Sequence, residues 1–181
     1  MELSPQALEM AYSQGVFPMG LPNGEIGWFR TDPRAIIPLD GFLVSRSLRK
    51  SDRKFEVRFD SEYERVVRAC ADREETWITE EFVSAYTHMF RMGKGHSSEV
   101  WIDGSLVGGV YGLALGQAFF AESMFHLATD AGKVALWRLV EFLKERNFEL
   151  LDVQYLTPHL ASLGAVEIAN EEYMDRLKSC L

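Results

Sequence analysis

Apolar residues recur at two spacings along this chain of 181 residues, and each spacing predicts one kind of element. Apolar positions three or four residues apart indicate helices with one buried face, whereas alternation or a short apolar run indicates a strand. Helices are predicted at about residues 5–15, 45–49, 60–70, 79–93, 129–147, 158–163 and 172–177. Strands are predicted at about residues 26–29, 34–38, 55–59, 98–102, 106–114, 117–125, 150–155 and 166–169.

Turn and capping residues mark several of these boundaries. Ser4-Pro5 begins the first helix with a capping hydroxyl and a proline at the first helical position. Asp103-Gly104 predicts a tight hairpin between two strands, and Thr129 is suited to cap the longest helix. Residues 16–24 are rich in glycine and proline, and no element is predicted there.

The order of the elements predicts an α+β fold. An antiparallel meander followed by a strand–helix–strand crossover gives a mixed, largely antiparallel sheet covered by helices. This order is compatible with the acyl-CoA N-acyltransferase fold. Residues 1–42 have little apolar core of their own and are predicted to form a small N-terminal lobe, with residues 43–181 as the acyltransferase-like catalytic domain.

The composition narrows the class of protein. With 47% hydrophobic and 25% charged residues, the chain is typical of a globular protein. No apolar run approaches the roughly 18 residues of a membrane span. Residues 1–5 lack the basic start and apolar core of a signal peptide, so a cytoplasmic location is expected. The two cysteines and four histidines have no metal-ligand spacing, so no metal site is expected. A monomer is the default expectation.

Charge is unevenly distributed along this acidic chain. The net charge is −8, which by itself argues against a nucleic-acid partner. Residues 45–58 nevertheless carry six basic and two acidic side chains, a net of +4 by direct count. The basic residues are Arg46, Arg49, Lys50, Arg53, Lys54 and Arg58. Such a stretch can dock a phosphate backbone or can simply be a solvated face, and the pattern alone leaves both interpretations open.

Polar residues stand in two of the apolar strands. Asp152 and Gln154 are two residues apart, so they point to the same face of a strand, and Glu122 lies in another central strand. Buried polar side chains cost free energy unless they are paired or used. Two carboxylates and an amide on one pocket could hold and polarise an amine. The alternative is a satisfied polar network that bridges the strands.

Tryptophans are candidate platforms for nucleobases. A single-stranded RNA end is recognised by stacking unpaired bases on aromatic side chains while basic groups hold its phosphates. Trp28, Trp77 and Trp101 could serve this purpose, although each alone is more typical of a core position. His96, which begins a strand, could position a substrate or hydrogen-bond locally.

The motifs taken together resemble the leucyl/phenylalanyl-tRNA–protein transferase family. Two of them are Thr76-Trp77-Ile78-Thr79 and Glu122-Ser123-Met124-Phe125. The others lie at residues 11–18, 28–29, 32–34, 45–48, 96–101, 108–112, 152–154, 159, 162–165 and 167–168. The resemblance covers nearly the whole chain in order, and although each motif is weak, the set is specific.

The resemblance implies an aminoacyltransferase reaction. Such enzymes move leucine or phenylalanine, and methionine less well, from aminoacyl-tRNA to the N-terminal amine of proteins that begin with arginine or lysine. The product enters the N-degron pathway of protein degradation. The tRNA ester is already activated, so the resemblance implies no metal or coenzyme.

The resemblance also implies roles for individual residues. Gln154 matches the position that contacts the attacking amine, Asp152 the acid that orients it, and Glu122 an acid suited to a cationic N-terminal residue. Trp77, and with it Trp28, matches an aromatic that holds the terminal adenosine. The pocket for the transferred side chain is expected from Phe119, Ser123, Met124 and Phe125. The basic residues Arg46, Arg49, Lys50, Arg53 and Lys54 would contact the acceptor stem.

The chain departs from the family at several positions. The N-terminal lobe is short, and His126-Leu127 stands where the family commonly has Ser-Arg. These departures bear on tRNA affinity and on side-chain selectivity more than on the reaction type. Two other functions stay open: an acyl-CoA-dependent N-acyltransferase, for which residues 126–133 offer only Gly132 as a phosphate-loop glycine, and a non-catalytic tRNA-binding or peptide-binding relative.

Overall fold

The structure, a computed structural model, describes residues 3–181; Met1 and Glu2, where the predicted lobe begins, lie outside this range. The helices are α1 (Pro5–Ser13), α2 (Arg46–Asp52), α3 (Tyr63–Ala71), α4 (Glu80–Arg91), α5 (Ala131–Glu145), α6 (Pro158–Ser162) and α7 (Asn170–Cys180). The strands are β1 (Phe17–Gly20), β2 (Ile26–Phe29), β3 (Arg34–Ile36), β4 (Glu56–Phe59), β5 (Gly95–Ile102), β6 (Ser105–Leu115), β7 (Ala118–His126), β8 (Leu150–Gln154) and β9 (Val166–Ile168).

Seven strands form the central sheet in the order β4-β5-β6-β7-β8-β3-β9. Its neighbours are antiparallel except for β7 and β8, which are parallel because α5 carries the chain back across the sheet. The predicted hairpin at Asp103-Gly104 is confirmed, since both residues have positive φ, at 48° and 76°. The predicted α+β class with a mixed, largely antiparallel sheet is therefore confirmed.

A hydrophobic core lies on each face of the sheet. On one face α1, α3, α4 and α7 bury a set that includes Tyr12, Phe82 and Phe120. On the other face α5 buries a set that includes Leu136, Phe119 and Leu151. The sheet is thus covered on both sides, which explains why all five residues of β8 are buried.

The N-terminal segment is built into the rest of the molecule. The short strand β3 is inserted between β8 and β9 of the main sheet, and Leu8, Tyr12 and Phe17 belong to the core under α4 and α7. Residues 17–20, where no element was predicted, form β1 and pair with β2. Both strands of this two-stranded ribbon are edge strands, which is why Pro18 is tolerated there. The boundary at residue 42 stays a prediction.

The longest helix begins differently from the prediction. The helix α5 starts at Ala131, so the prediction that Thr129 caps it was wrong. The preceding residue is Asp130, in the left-handed conformation with φ 67° and with no capping hydrogen bond from its side chain. Its carboxylate instead accepts a hydrogen bond of 2.7 Å from the Ser51 hydroxyl, which ties α2 to the start of α5.

Candidate active site

The central sheet opens between its two parallel strands. The strand β7 pairs with β8 only through Ala118, Phe119 and Phe120, although β7 continues to His126. On its other side, Gly112 is opposite Ala121 and Tyr111 is opposite Ser123, which leaves Glu122 as an extra residue in a β-bulge. A bulge re-aims the side chains around it and commonly lies beside an active site. The gap between β7 and β8 is therefore the first candidate for a substrate site.

Glu122 lies at this gap and is held by three side chains. Its carboxylate accepts hydrogen bonds from the Tyr12 hydroxyl at 2.6 Å and the Tyr86 hydroxyl at 3.0 Å. The two hydroxyls are 2.7 Å apart, and the Gln154 amide nitrogen lies 3.5 Å from both carboxylate oxygens. Burial raises the pKa of Glu122 to about 7, against the lowering effect of the two tyrosine hydrogen bonds.

Gln154 faces Glu122 from the end of β8 in an unusual backbone conformation. Its φ is 64°, in the left-handed region that residues with a side chain rarely adopt. The Gln154 backbone N–H donates to the Asp152 carboxylate at 2.8 Å, and the Thr31 hydroxyl donates to the Gln154 backbone carbonyl at 3.2 Å. The left-handed backbone of Gln154 is thus fixed through both its N–H and its carbonyl, beside a cleft. Backbone strain at such a place points to a functional role for the side chain.

Asp152 is fully buried and all of its contacts are within the protein. Arg34 binds it with two hydrogen bonds, Nε to Oδ1 at 2.9 Å and Nη2 to Oδ2 at 2.6 Å. The Tyr173 hydroxyl donates to Oδ2 at 2.7 Å. The Arg34 guanidinium also lies 4.7 Å from the ring centres of Phe17 and Tyr173. Burial opposes the charge on Arg34, but the Asp152 carboxylate outweighs it and raises the pKa of Arg34.

An apolar pocket of about 100 Å³ lies beside Glu122. Its walls come from β6, β7, α5, β8 and α6, and it therefore spans the opening of the sheet. The lining residues are Val110, Ala121, Glu122, Ser123, Met124, Leu136, Val153 and Leu160. A pocket with this lining can take a single aliphatic or flat apolar side chain, and Met124 can adapt its shape to either.

Similar sequences identify the family. A family model described as leucyl/phenylalanyl-tRNA protein transferase matches residues 36–178, and one described as its N-terminal domain matches residues 1–32. The chain belongs to the leucyl/phenylalanyl-tRNA–protein transferase family. A relative of this name from Rubrobacter xylanophilus is 52% identical over 100% of this chain and 96% of its own length. Another from Gloeobacter violaceus is 49% identical over 99% and 94%. The predicted family and enzyme class are confirmed.

Solved structures support the fold of this transferase. A GCN5-related N-acetyltransferase from Kribbella flavida aligns with a TM-score of 0.54 and 13% identity, over 91% of this chain and 61% of its own. The structure of FemX aligns with a TM-score of 0.51 and 10% identity, over 96% and 70%. At these identities the likeness concerns the fold alone, and it agrees with the acyltransferase-like fold predicted from the order of elements.

The aromatic residues predicted for the site lie in different surroundings. Trp77 is half-buried before α4 and packs edge-on against Phe82 at 5.1 Å, while Trp28 is half-buried in β2. The Trp28 indole nitrogen is buried and has no hydrogen-bond partner within residues 3–181. Phe119 is fully buried in the core under α5, and Phe125 is buried against α3. Of the predicted substrate-pocket residues, the structure brings Ser123 and Met124 to the apolar pocket.

The five predicted tRNA-binding residues form an exposed surface on the transferase. Arg46, Arg49, Lys50, Arg53 and Lys54 are all exposed. They lie on or directly after α2, which is anchored by the buried side chain of Leu48. We call these five residues the α2 basic surface. Two candidates remain. Trp101 is buried in the hydrophobic core, and His96 hydrogen-bonds locally to the Asp60 carboxylate at 2.8 Å.

Sequence reasoning missed four residues around the site, namely Tyr12, Arg34, Tyr86 and Tyr173. The ring of Tyr86 lies on the buried face of α4, and its hydroxyl donates to Glu122. Most buried tyrosine hydroxyls have a hydrogen-bond partner, and this tendency was the signal available in the sequence. Within residues 3–181, no group of three or more histidine, cysteine, aspartate or glutamate side chains is placed to hold a metal ion. No helix in that range is both long and apolar enough to cross a membrane.

Proposed function

We propose that this enzyme transfers leucine or phenylalanine, and methionine less well, from aminoacyl-tRNA to the N-terminal amine of proteins that begin with arginine or lysine. The observation that carries the proposal is the Glu122–Gln154 pair at the opening of the sheet, directly beside an apolar pocket of about 100 Å³. The apolar pocket can hold the side chain of the transferred amino acid. The Glu122–Gln154 pair can bind the amine that attacks the aminoacyl-tRNA ester.

The polar residues match the demands of the reaction. A nucleophilic amine must approach the ester carbonyl in one orientation and lose protons as the new bond forms. The Gln154 amide can accept and donate hydrogen bonds at once, which makes it a positioning group for that amine. Asp152 is enclosed by Arg34 and Tyr173, so its effect on the substrate passes through the backbone of Gln154.

The acceptor specificity follows from charge. An acceptor that begins with arginine or lysine brings an α-ammonium and a cationic side chain, and Glu122 supplies a carboxylate at the site. Attachment of leucine or phenylalanine would mark the acceptor for the N-degron pathway in the cytoplasm. The enzyme would act as a monomer, and since the tRNA ester is already activated it would need no metal or coenzyme.

The tRNA would be held at two places. The α2 basic surface carries five exposed cationic side chains that can contact acceptor-stem phosphates. Trp77 and Trp28 would hold the terminal adenosine by stacking. His126 and Leu127, in place of the Ser-Arg usual in the family, would alter the affinity for tRNA without changing the reaction.

The direct test is transfer of labelled leucine and phenylalanine from charged tRNA to peptides that begin with Arg, Lys, Met, Asp or Glu. We expect transfer to the Arg and Lys peptides and a loss of that transfer in Glu122→Ala. Transfer restricted to Met or acidic peptides would retain the reaction and overturn the acceptor specificity. Binding of tRNA without transfer to any peptide would favour the non-catalytic relative.

A further inference from the structure

We infer that Glu122 takes the proton from the attacking α-amine, and that Tyr12 and Tyr86 are positioning residues that hold its carboxylate for this step. The inference rests on the proposed function. It assigns the base to a residue that also lines the apolar pocket, and it gives a role to two tyrosines from helices α1 and α4 that lie far apart in the sequence.

The other carboxylate in the site, Asp152, is fully engaged by groups of the protein. Asp152 is fully buried, and Arg34 and Tyr173 already occupy both of its oxygens. Each oxygen already accepts two hydrogen bonds, Oδ1 from Arg34 Nε and the Gln154 backbone N–H, and Oδ2 from Arg34 Nη2 and the Tyr173 hydroxyl, so neither is left for the attacking amine. Gln154 has no basic group, because an amide does not accept a proton near neutral pH. Glu122 is therefore the group at the opening that can accept one.

The side chains around Glu122 leave one side of its carboxylate open to a substrate. Two tyrosine hydroxyls donate to its two oxygens, Tyr12 to Oε1 at 2.6 Å and Tyr86 to Oε2 at 3.0 Å. The opening of the sheet and the Gln154 amide lie on the remaining side. Each oxygen can accept more than one hydrogen bond, so an α-ammonium can approach without displacing either tyrosine. The tyrosines thus fix the direction in which the carboxylate faces the substrate.

The side chains that surround Glu122 add little net charge of their own near neutral pH. The titratable and charged groups facing Glu122 are Tyr12 of α1, Tyr63 of α3, Tyr86 of α4, Tyr111 of β6 and Asp152 of β8. Burial raises the pKa of all four tyrosines well above their ordinary value, so they stay neutral at neutral pH. The charge of Asp152 is compensated by Arg34. Burial places the pKa of Glu122 at about 7, close to the value of about 8 for an α-ammonium.

The proton balance of the step is complete. The α-ammonium gives one proton to the Glu122 carboxylate, and the resulting amine attacks the ester carbonyl to form the new C–N bond. When the tetrahedral intermediate collapses, the C–O bond to the tRNA ribose breaks. The leaving ribose oxygen takes the second proton from the attacking nitrogen and becomes a hydroxyl. Glu122 then releases its proton to water, so the net products are the new amide, free tRNA and one proton.

The experiment is the pH profile of kcat/KM for an Arg peptide at saturating leucyl-tRNA. Tyr12→Phe and Tyr86→Phe each remove a hydrogen bond to the charged carboxylate, so each should move the rising limb to higher pH by about one unit. Glu122→Gln should lower kcat/KM by about 100-fold and leave only the ionisation of the peptide amine. Tyr111→Phe is the matched control, because its ring is buried 5.6 Å from that of Tyr86 and its hydroxyl has no partner within residues 3–181.

The outcomes separate this inference from the proposed function. Transfer by the wild-type enzyme with an unmoved limb in both tyrosine variants would overturn the inference alone, as would wild-type kcat/KM in Glu122→Gln. Absence of transfer by the wild-type enzyme would overturn the proposed function and the inference with it. If the rising limb of the pH profile moves as far in Tyr111→Phe as in Tyr86→Phe, the shift is a general effect of removing a buried tyrosine hydroxyl. That result would also overturn the inference. Should one tyrosine variant fail to fold, the other decides.

Discussion

Arg34 and Asp152 form a bidentate ion pair, at 2.9 and 2.6 Å, in which both side chains are almost completely shielded from solvent. The pair joins the first strand of the main sheet to the strand that carries Gln154. Arg34 also donates to the Gly15 carbonyl at 3.1 Å, which extends the connection to the end of α1. The N-terminal segment is therefore fastened to the candidate active site by charge as well as by apolar packing.

Breaking this ion pair should destabilise the protein strongly. We expect Asp152→Asn to lower the free energy of unfolding by about 3–5 kcal/mol, because it leaves the Arg34 guanidinium buried without a counter-charge. Urea unfolding followed by circular dichroism measures the change. The matched control is Arg176→Ala on α7, whose ion pair with Glu172 is half-exposed and should be worth less than about 1 kcal/mol. Equal losses in the two variants would contradict the prediction.

The backbone of Gln154 provides a test of stored strain. Gln154→Gly and Gln154→Ala both remove the side-chain amide, but only glycine is free of strain at a φ of 64°. We expect the glycine variant to be more stable than the alanine variant by about 1 kcal/mol, while both lose the transfer reaction. Unfolding curves and the transfer assay measure the two effects. An alanine variant as stable as the glycine variant would show that the conformation is not strained.

Glu122 should make stability fall as the pH rises towards neutral. Its pKa is raised from an ordinary value of 4.5 to about 7 in the folded protein, so between these pH values the folded state binds more protons than the unfolded chain. The contribution of Glu122 to the free energy of unfolding is therefore complete below pH 4.5 and is lost by pH 7, a change of about 3 kcal/mol. Glu122→Gln should remove that loss.

The check on this prediction is the free energy of unfolding at pH 5 and at pH 7 for both proteins. All other titratable groups are shared by the two proteins, so the difference between the two pH changes isolates Glu122. A wild-type protein whose stability changes with pH in parallel with Glu122→Gln would refute the assignment of a raised pKa to this carboxyl group.

The apolar pocket should set which amino acid is transferred. Met124 lies on its wall, so Met124→Ala should enlarge the pocket and raise the ratio of phenylalanine to leucine transfer by roughly tenfold. Competition between the two charged tRNAs in one assay measures the ratio. Met10→Ala is the control, because this methionine is exposed on α1 and should leave the ratio unchanged. An unchanged ratio in Met124→Ala would place the transferred side chain elsewhere.

The α2 basic surface should determine how tRNA binding depends on salt. Each phosphate contact removed lowers the slope of log K against log salt by about one. We therefore expect Lys50→Ala and Arg53→Ala each to weaken tRNA binding and to reduce that slope. Lys178→Ala, an exposed cationic position on α7, serves as the control. If the slope is the same in all three variants, the surface is solvated and does not contact the tRNA.

Much of the architecture was decided by the sequence itself. The periodicity of apolar positions and the chemistry of turn residues are local properties. The periodicity predicted the long crossover helix and the strand β8, and the Asp103-Gly104 turn predicted the hairpin. The spacing of Asp152 and Gln154 is local too, and the structure joins them by a hydrogen bond of 2.8 Å from the Gln154 backbone N–H to the Asp152 carboxylate. Glu122 stood out because a carboxylate in an apolar strand is costly, and the structure shows the hydrogen bonds that offset this cost.

Only the tertiary structure decided what these polar residues touch. The sequence could not assign Arg34 to Asp152, or Tyr12 and Tyr86 to Glu122, because the partners lie 118, 110 and 36 residues apart. The bulge at Glu122 and the opening between β7 and β8 depend on the register in which the strands pair. The pattern of apolar and polar residues along one strand does not fix that register. A buried polar side chain has many possible hydrogen-bond or ion-pair partners along the sequence. Which of them lies within bonding distance is determined only when the helices and strands pack together.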